Sequence, residues 1–153
     1  MPNHYQALFA NSFDTFKVFD NLTLSEISNT PTNSPKTIWQ ILNHLITWQN
    51  YQLTQLKNIQ QHIELDEEAT WIDDQNPSDQ QGLNSALVIF KNQQQQLADE
   101  ISAFDNNDLY INQKLKIVQD LSVHLSFHVG EVILMRRMAG TYPLPHQMKE
   151  FLN

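Results

Sequence analysis

The amino-acid sequence predicts an all-α protein, a four-helix bundle in which a long crossover joins the second and third helices. Only three glycines occur among the 153 residues, and runs that alternate β-branched with polar residues are scarce. Apolar residues instead recur at spacings of three and four, which is the periodicity of amphipathic helices. We find no internal repeat and no sign of a second domain, so we expect one domain over residues 1–153.

The first two helices are predicted from aromatic spacing and from a capping signal. The first should run from about His4 to Asp20, because its phenylalanines share one face: Phe9, Phe13, Phe16 and Phe19. After a loop, Ser34 is the expected N-cap of the second helix, with Pro35 at its first helical position. That helix should end near Ile63. Its expected core residues are Leu42, Leu45, Leu56, Ile59 and Ile63.

The segment from Glu64 to Pro77 has no helical periodicity and contains an acidic run. A connection of this length suits a crossover between parallel neighbours better than a tight hairpin. Ser78 and Gln81 then form the expected capping box of the third helix. The core seam of that helix is predicted at Leu83, Leu87, Phe90, Gln94, Leu97, Ile101 and Phe104.

The fourth helix should begin near Ile117 and stop at Gly140, a residue type that commonly follows the last helical turn. Arg136 and Arg137 would lie in its last turn, where positive charge complements the helix dipole. Residues 142–146 contain two prolines and cannot continue the helix, so we expect them to pack along the bundle.

Composition excludes several classes of function. The net charge is -8 and only nine Lys and Arg residues are present, which argues against nucleic acid as a partner. The chain has no cysteine, so it has no disulfide, thiolate ligand or cysteine nucleophile. We see neither an apolar run of about 18 residues nor a signal peptide, and therefore expect no membrane segment and a cytoplasmic location.

His124 and His128 are the most informative pair of residues in the chain. Histidines four apart lie on the same face of a helix, so both rings can reach one ion. They lie on or beside an apolar stripe made of Ile117, Leu121, Leu125, Phe127, Val132, Met135 and Met138. Burying such groups is unfavourable without a partner, and a divalent metal is the simplest one. The alternative is a pair of hydrogen-bonded core histidines.

His44 is the third candidate ligand. It lies in a second strongly helical run, on a face that is mixed and aromatic rather than fully solvated. Three neutral imidazoles with one open position are a common arrangement for catalytic zinc. The alternative for His44 is a core histidine that bonds to a side chain of the fourth helix.

Glu131 shares the face of His124 and His128, and its role stays open at this point. It is a candidate catalytic residue, as a general base acting beside the metal. It is equally a candidate fourth ligand, or an acceptor that orients a histidine N–H. A plain surface glutamate is the remaining alternative.

These residues together form a pattern that resembles the DinB-like superfamily. The pattern consists of Asn43-His44-Leu45, then His124-x-x-x-His128-x-Gly130-Glu131, then Arg136-Arg137-Met138-x-Gly140, and the resemblance covers about residues 4–142. It implies a four-helix bundle with a crossover, in which His44, His124 and His128 hold a divalent metal. Members of that family often have Arg before the glycine and Gln after it, where this chain has Val129 and Glu131.

The resemblance also implies an activity. Relatives transfer low-molecular-weight thiols or isomerise thiol adducts, and many others are described as metal-dependent hydrolases. We therefore expect a metal-dependent hydrolase or thiol transferase that acts on a small molecule, with zinc or nickel as the metal and a homodimer as the assembly. The alternative is a metal-stabilised binding or scaffold protein without turnover.

Overall fold

The structure is a computed structural model, and it describes residues 5–8 and 16–153. Within these ranges the chain forms five α-helices and no β-strand. They are α1 (Leu24–Ser28), α2 (Ile38–Lys57), α3 (Gln80–Ser102), α4 (Ile111–Met138) and α5 (Met148–Leu152). Short 3-10 helices cover Gln6–Leu8, Glu68–Thr70 and Pro145–Gln147. The prediction of an all-α protein is confirmed over the described residues.

Two core clusters fix the directions of the three long helices. One cluster joins the amino-terminal halves of α2 and α3 to the carboxyl-terminal half of α4, and includes Leu42, Phe90 and Val132. The other joins the carboxyl-terminal halves of α2 and α3 to the middle of α4, and includes Leu56, Ile101 and Leu121. Helices α2 and α3 therefore run in the same direction and α4 runs against both. Residues 58–79 consequently have to return along the length of α2.

The start of α2 differs from the prediction. Its N-cap is Thr37 rather than Ser34, because Thr37 and Gln40 form a reciprocal capping box. The Gln40 backbone N–H donates to Thr37 Oγ1 at 3.1 Å, and the Thr37 N–H donates to Gln40 Oε1 at 3.0 Å. The Gln40 amide also donates to the carbonyl of Ile72 at 3.1 Å. One side chain thus caps the helix and holds the connection against it.

Three other predicted boundaries were also wrong. Helix α2 ends at Lys57, so Ile59 and Ile63 are half-buried residues of the connection. The N-cap of α3 is Asp79 rather than Ser78, because the Asp79 carboxylate accepts the N–H of Gly82 at 2.7 Å. Helix α4 begins at Ile111, six residues before the predicted Ile117.

The apolar stripe predicted on α4 is only partly buried. Leu121, Leu125, Val132 and Met135 lie in the core, whereas Phe127 and Met138 are 65% and 66% exposed. In the seam of α3, the buried glutamine is Gln93 rather than Gln94. The Gln93 side chain accepts a hydrogen bond from the amide of Gln49 and donates one to the carbonyl of Ile46. No helix within the described ranges is long and apolar enough to cross a membrane.

Most of the predicted first helix, including Phe9 and Phe13, lies outside the described residues. Its predicted end at Asp20 was wrong, because residues 16–20 form turns and Lys17 has a φ of 46°. Arg136 holds these turns in place. It is buried and donates to the carbonyls of Val18 at 2.8 Å and Thr141 at 2.7 Å. The sequence had indicated only that Arg136 complements the helix dipole.

Gly130 lies within α4 and Gly140 lies just after its end. Substituting each of them tests how backbone conformation affects stability. Gly140 has a φ of 75°, which strains any residue with a Cβ, whereas a Cβ at Gly130 would meet nothing within 4 Å. We expect Gly140→Ala to lower the free energy of unfolding by about 1 kcal/mol. Gly130→Ala should raise it by up to about 1 kcal/mol, because alanine is the better helix former. Urea denaturation measures both, and changes of the same sign would contradict this account.

Candidate metal centre

The three predicted histidines meet in the space between α2 and α4. One ring nitrogen from each of His44, His124 and His128 lies within 4.8 Å of the other two. The closest approach is 3.1 Å, between Nε2 of His44 and Nε2 of His124. His44 and His128 are buried and His124 is half-buried. The three side chains are therefore close enough to bind one metal ion.

The tautomer of His44 follows from its contact with Thr70. The Thr70 hydroxyl donates its single proton to the carbonyl of Glu67 at 2.6 Å. It can then only accept a proton from Nδ1 of His44, which lies 2.8 Å away. Nδ1 of His44 therefore carries the ring proton, and Nε2 presents a free lone pair toward His124.

Glu131 controls the ring of His128 in the same way. Its Oε2 lies 2.6 Å from Nδ1 of His128, and an ionised carboxylate can only accept in that contact. The proton of His128 is thus held on Nδ1, and Nε2 is the nitrogen that remains to bind an ion. The carboxylate contacts the ring from the side opposite to Nε2, and the Glu131 side chain is 39% exposed.

Burial favours the neutral forms of His44 and His124 near neutral pH. Desolvation, together with repulsion from His128 and His124, lowers the pKa of His44 to about 4. Desolvation also lowers the pKa of His124 to about 4, with His128 as the second cause. Metal binding requires deprotonated imidazole nitrogens, so these two shifts favour it.

Aromatic rings contact all three imidazoles, and Trp71 and Phe127 meet His128 edge to face at 5.8 Å and 5.0 Å. The Trp71 ring stacks on His44 with 3.8 Å between centroids and 6° between planes, and Lys36 Nζ lies 4.9 Å from the centre of the Trp71 ring. Trp48 packs on His124 at 4.7 Å. The rings of His44 and His124 are therefore fixed from several directions, which limits the reorganisation that an ion would require.

Two concave regions adjoin the histidines. A cavity of about 320 Å³ lies between α2, the connection and α4, and Trp48 forms part of its wall. A more open depression of about 460 Å³ runs along α4 and is lined by His124 and Phe127, among others. His124 can therefore be reached from solvent through this depression, whereas His44 is buried.

The donor set fits a divalent transition-metal ion. Two nitrogens that bind one tetrahedral zinc are about 3.3 Å apart, since each bond is about 2.0–2.1 Å long. The 3.1 Å contact between His44 and His124 is close to that separation. Without an ion, the contact needs a proton on Nε2 of His124, because Nε2 of His44 has none. An ion would take the place of that proton.

Sequence reasoning missed two residues of this centre, Thr70 and Trp71. Both lie in the aperiodic connection, where no spacing rule relates a residue to a helix face. His62 and His146 are exposed, and His4 lies outside the described residues.

Comparison with known proteins gives no assignment. No family model, curated protein or solved structure matches this chain. The interpretation of the centre therefore depends on its own geometry and on the sequence pattern described above.

The lowered pKa values predict that the metal-free protein loses stability in mild acid. Between the ordinary pKa of 6.5 and about 4, the unfolded chain binds protons on His44 and His124 that the folded protein does not. The free energy of unfolding should therefore be nearly constant above pH 7 and about 2–4 kcal/mol lower at pH 5. Urea denaturation across this range measures the change.

A matched pair of variants identifies the source of that pH dependence. His44→Phe should remove part of it, whereas His62→Gln, at an exposed histidine, should leave it intact. Equal pH dependence in the native protein and in His44→Phe would show that His44 does not contribute.

Proposed function

We propose that this protein binds one divalent metal ion through His44, His124 and His128 and uses it in a reaction on a small molecule. The observation that carries the proposal is the convergence of three imidazole nitrogens within 4.8 Å from two helices. Zinc and nickel are the metals we favour, because both accept imidazole donors. The reaction classes we propose are hydrolysis and thiol transfer, as in the family that the sequence pattern resembles.

The directions of the helices support our proposal that the fold is a DinB-like four-helix bundle. Parallel α2 and α3 with an antiparallel α4 are what a bundle with one crossover requires. The first of the four predicted helices lies mostly outside the described residues.

Each residue of the centre has a defined task in this proposal. Thr70 and Glu131 hold the Nδ1 protons of His44 and His128, so the Nε2 atoms point toward the ion. A divalent ion held there supplies Lewis-acid chemistry, polarising a substrate atom or lowering the pKa of a bound oxygen or sulfur acid. His124 borders the open depression, which gives a small molecule access to the centre.

The pairing of Glu131 also supports a second candidate function, a metal-stabilised binding protein without turnover. An unpaired Glu131 would favour a general base, whereas here the carboxylate is bonded to His128. The concave regions beside the histidines favour the enzyme instead. We place the enzyme first, with Glu131 acting primarily by orienting His128.

Metal content tests the ligand assignment directly. After loading with zinc or nickel and removal of excess metal, elemental analysis should find about one ion per chain. His44→Ala, His124→Ala and His128→Ala should each lose most of it, while His62→Ala, at an exposed histidine, should keep it. Unchanged metal content in all three variants would refute the site.

Glu131→Gln tests the orienting role. An amide oxygen is a weaker acceptor than a carboxylate, so metal affinity should fall by about 10–100-fold while stoichiometry at saturating metal is kept. Glu150→Gln, at an exposed glutamate, is the matched control. If Glu131→Gln bound metal with native affinity, Glu131 would not be needed to orient His128.

Turnover separates the enzyme from the non-catalytic alternative. The metal-loaded protein should be assayed with a panel of esters and with low-molecular-weight thiols and a fluorogenic electrophile. If Glu131 also accepts a proton during the reaction, Glu131→Gln at saturating metal should be slower by about a hundredfold. Absence of turnover with every compound, in protein that holds its ion, would favour the binding protein.

A further inference from the structure

Four large apolar side chains of α4 are exposed to solvent along one line of the helix. They are Val123, Phe127, Leu134 and Met138, and their exposed fractions are 65%, 65%, 60% and 66%. In helical geometry they fall within about 60° of arc around the axis and extend over about 22 Å along it. The fully buried Val132 lies on the other side of the helix. We call these four residues the exposed row.

The exposed row is large enough to form the apolar part of a protein interface. Four side chains of this size, exposed to this extent, leave about 400–500 Å² of apolar surface in water. An interface of standard size buries about 800 Å² on each partner, of which a little over half is apolar. The exposed row therefore supplies most of the apolar surface that one partner contributes to a stable dimer.

The spacing of the exposed row is the same in both directions along the chain. The steps between its members are four, seven and four residues, and the centre falls between residues 130 and 131. Two copies of a helix related by a two-fold axis need this property, because each must present the same surface to the other. In an antiparallel pair, Val123 of one copy lies opposite Met138 of the other. Phe127 likewise lies opposite Leu134.

The centre of the exposed row allows two helices to approach closely. Gly130 is exposed, and a Cβ at this position would meet nothing within 4 Å. The absence of a side chain lets another backbone come near. Glu131 borders the centre, but its carboxylate lies 2.6 Å from Nδ1 of His128 and so already has a partner. A second helix therefore meets a small, uncharged residue where the two axes would cross.

We propose that a second copy of this chain packs its α4 antiparallel against the exposed row, with the two-fold axis beside Gly130. The pairing also affects the metal centre, because Val123, His124 and Phe127 line the open depression of about 460 Å³. Met138 of the second copy, opposite Val123, would cover part of this depression. A small molecule bound beside His124 would then contact both copies. The pairing itself requires no metal.

The assembly is measured by sedimentation equilibrium of the metal-free full chain. We expect a particle of twice the chain mass of 17.8 kDa. Chain concentrations up to about 100 µM are needed, since interfaces of this size have dissociation constants from the micromolar range downward. A monomer at every concentration would overturn the proposal, whatever else covers the exposed row.

A pair of lysine variants locates the interface. Leu134→Lys should weaken the association by about a hundredfold or more, because two-fold symmetry would bury an unpaired charge from each copy. Val88→Lys introduces the same charge at a side chain of α3 that is 57% exposed, and should leave the association unchanged. Equal effects of the two variants would show that the exposed row is not the interface.

Cysteine cross-linking tests the antiparallel arrangement. The chain contains no cysteine, so each introduced thiol is the only one. Under mild oxidation, a mixture of Val123→Cys and Met138→Cys proteins should give mixed disulfide-linked pairs, which mass spectrometry identifies. Neither variant should link to itself, because the two copies of each residue would be about 22 Å apart along the helices, beyond the reach of a disulfide. Efficient self-linking of either variant would contradict the antiparallel arrangement.

These outcomes are separable from the fate of the proposed function. A dimer with the expected cross-links in a protein that takes up no metal would support the interface and refute the metal centre. A protein that holds its ion but stays monomeric would refute the interface alone.

Discussion

The close approach of α2 and α4 at His44 and His124 is the constraint on which the rest of the centre depends. At 3.1 Å the two Nε2 atoms cannot both carry protons, so one proton or one ion must lie between them. On the far side of the His44 ring, Thr70 holds the proton on Nδ1, and Glu131 does the same for His128, the third imidazole of the centre. The helix pair supplies the positions of the imidazoles, and these outer contacts supply their orientation.

How much of this centre could be predicted from sequence depends on which element each residue occupies. His124, His128 and Glu131 lie on one helix, where spacing alone relates them, and the structure brings His128 and Glu131 into contact. The convergence with His44 required the packing of a second helix. Thr70 and Trp71 lie in a segment without periodicity, and their placement is a tertiary effect that no local rule gives.

The fold, like the centre, could be predicted from sequence only in part. Periodicity predicted an all-helical chain and the existence of α2, α3 and α4, because burial on one face leaves a regular pattern. The ends of these helices were less predictable, since adjacent residues compete for each cap. Thr37 rather than Ser34 caps α2, because the Gln40 side chain accepts the N–H of Thr37 and also donates to the carbonyl of Ile72. Exposed Phe127 shows that an apolar residue near the stripe need not face the core.

The contact between Thr70 and His44 has a consequence for motion as well as for chemistry. Thr70 belongs to the connection, so detaching this segment would also release the Nδ1 proton that fixes the His44 ring. An ion that prefers the fixed ring must then, by linkage, favour the attached segment. As a larger fraction of the centre is occupied, amide hydrogen exchange over residues 67–72 should become slower. The exchange rate of the connection would therefore report whether the centre holds an ion.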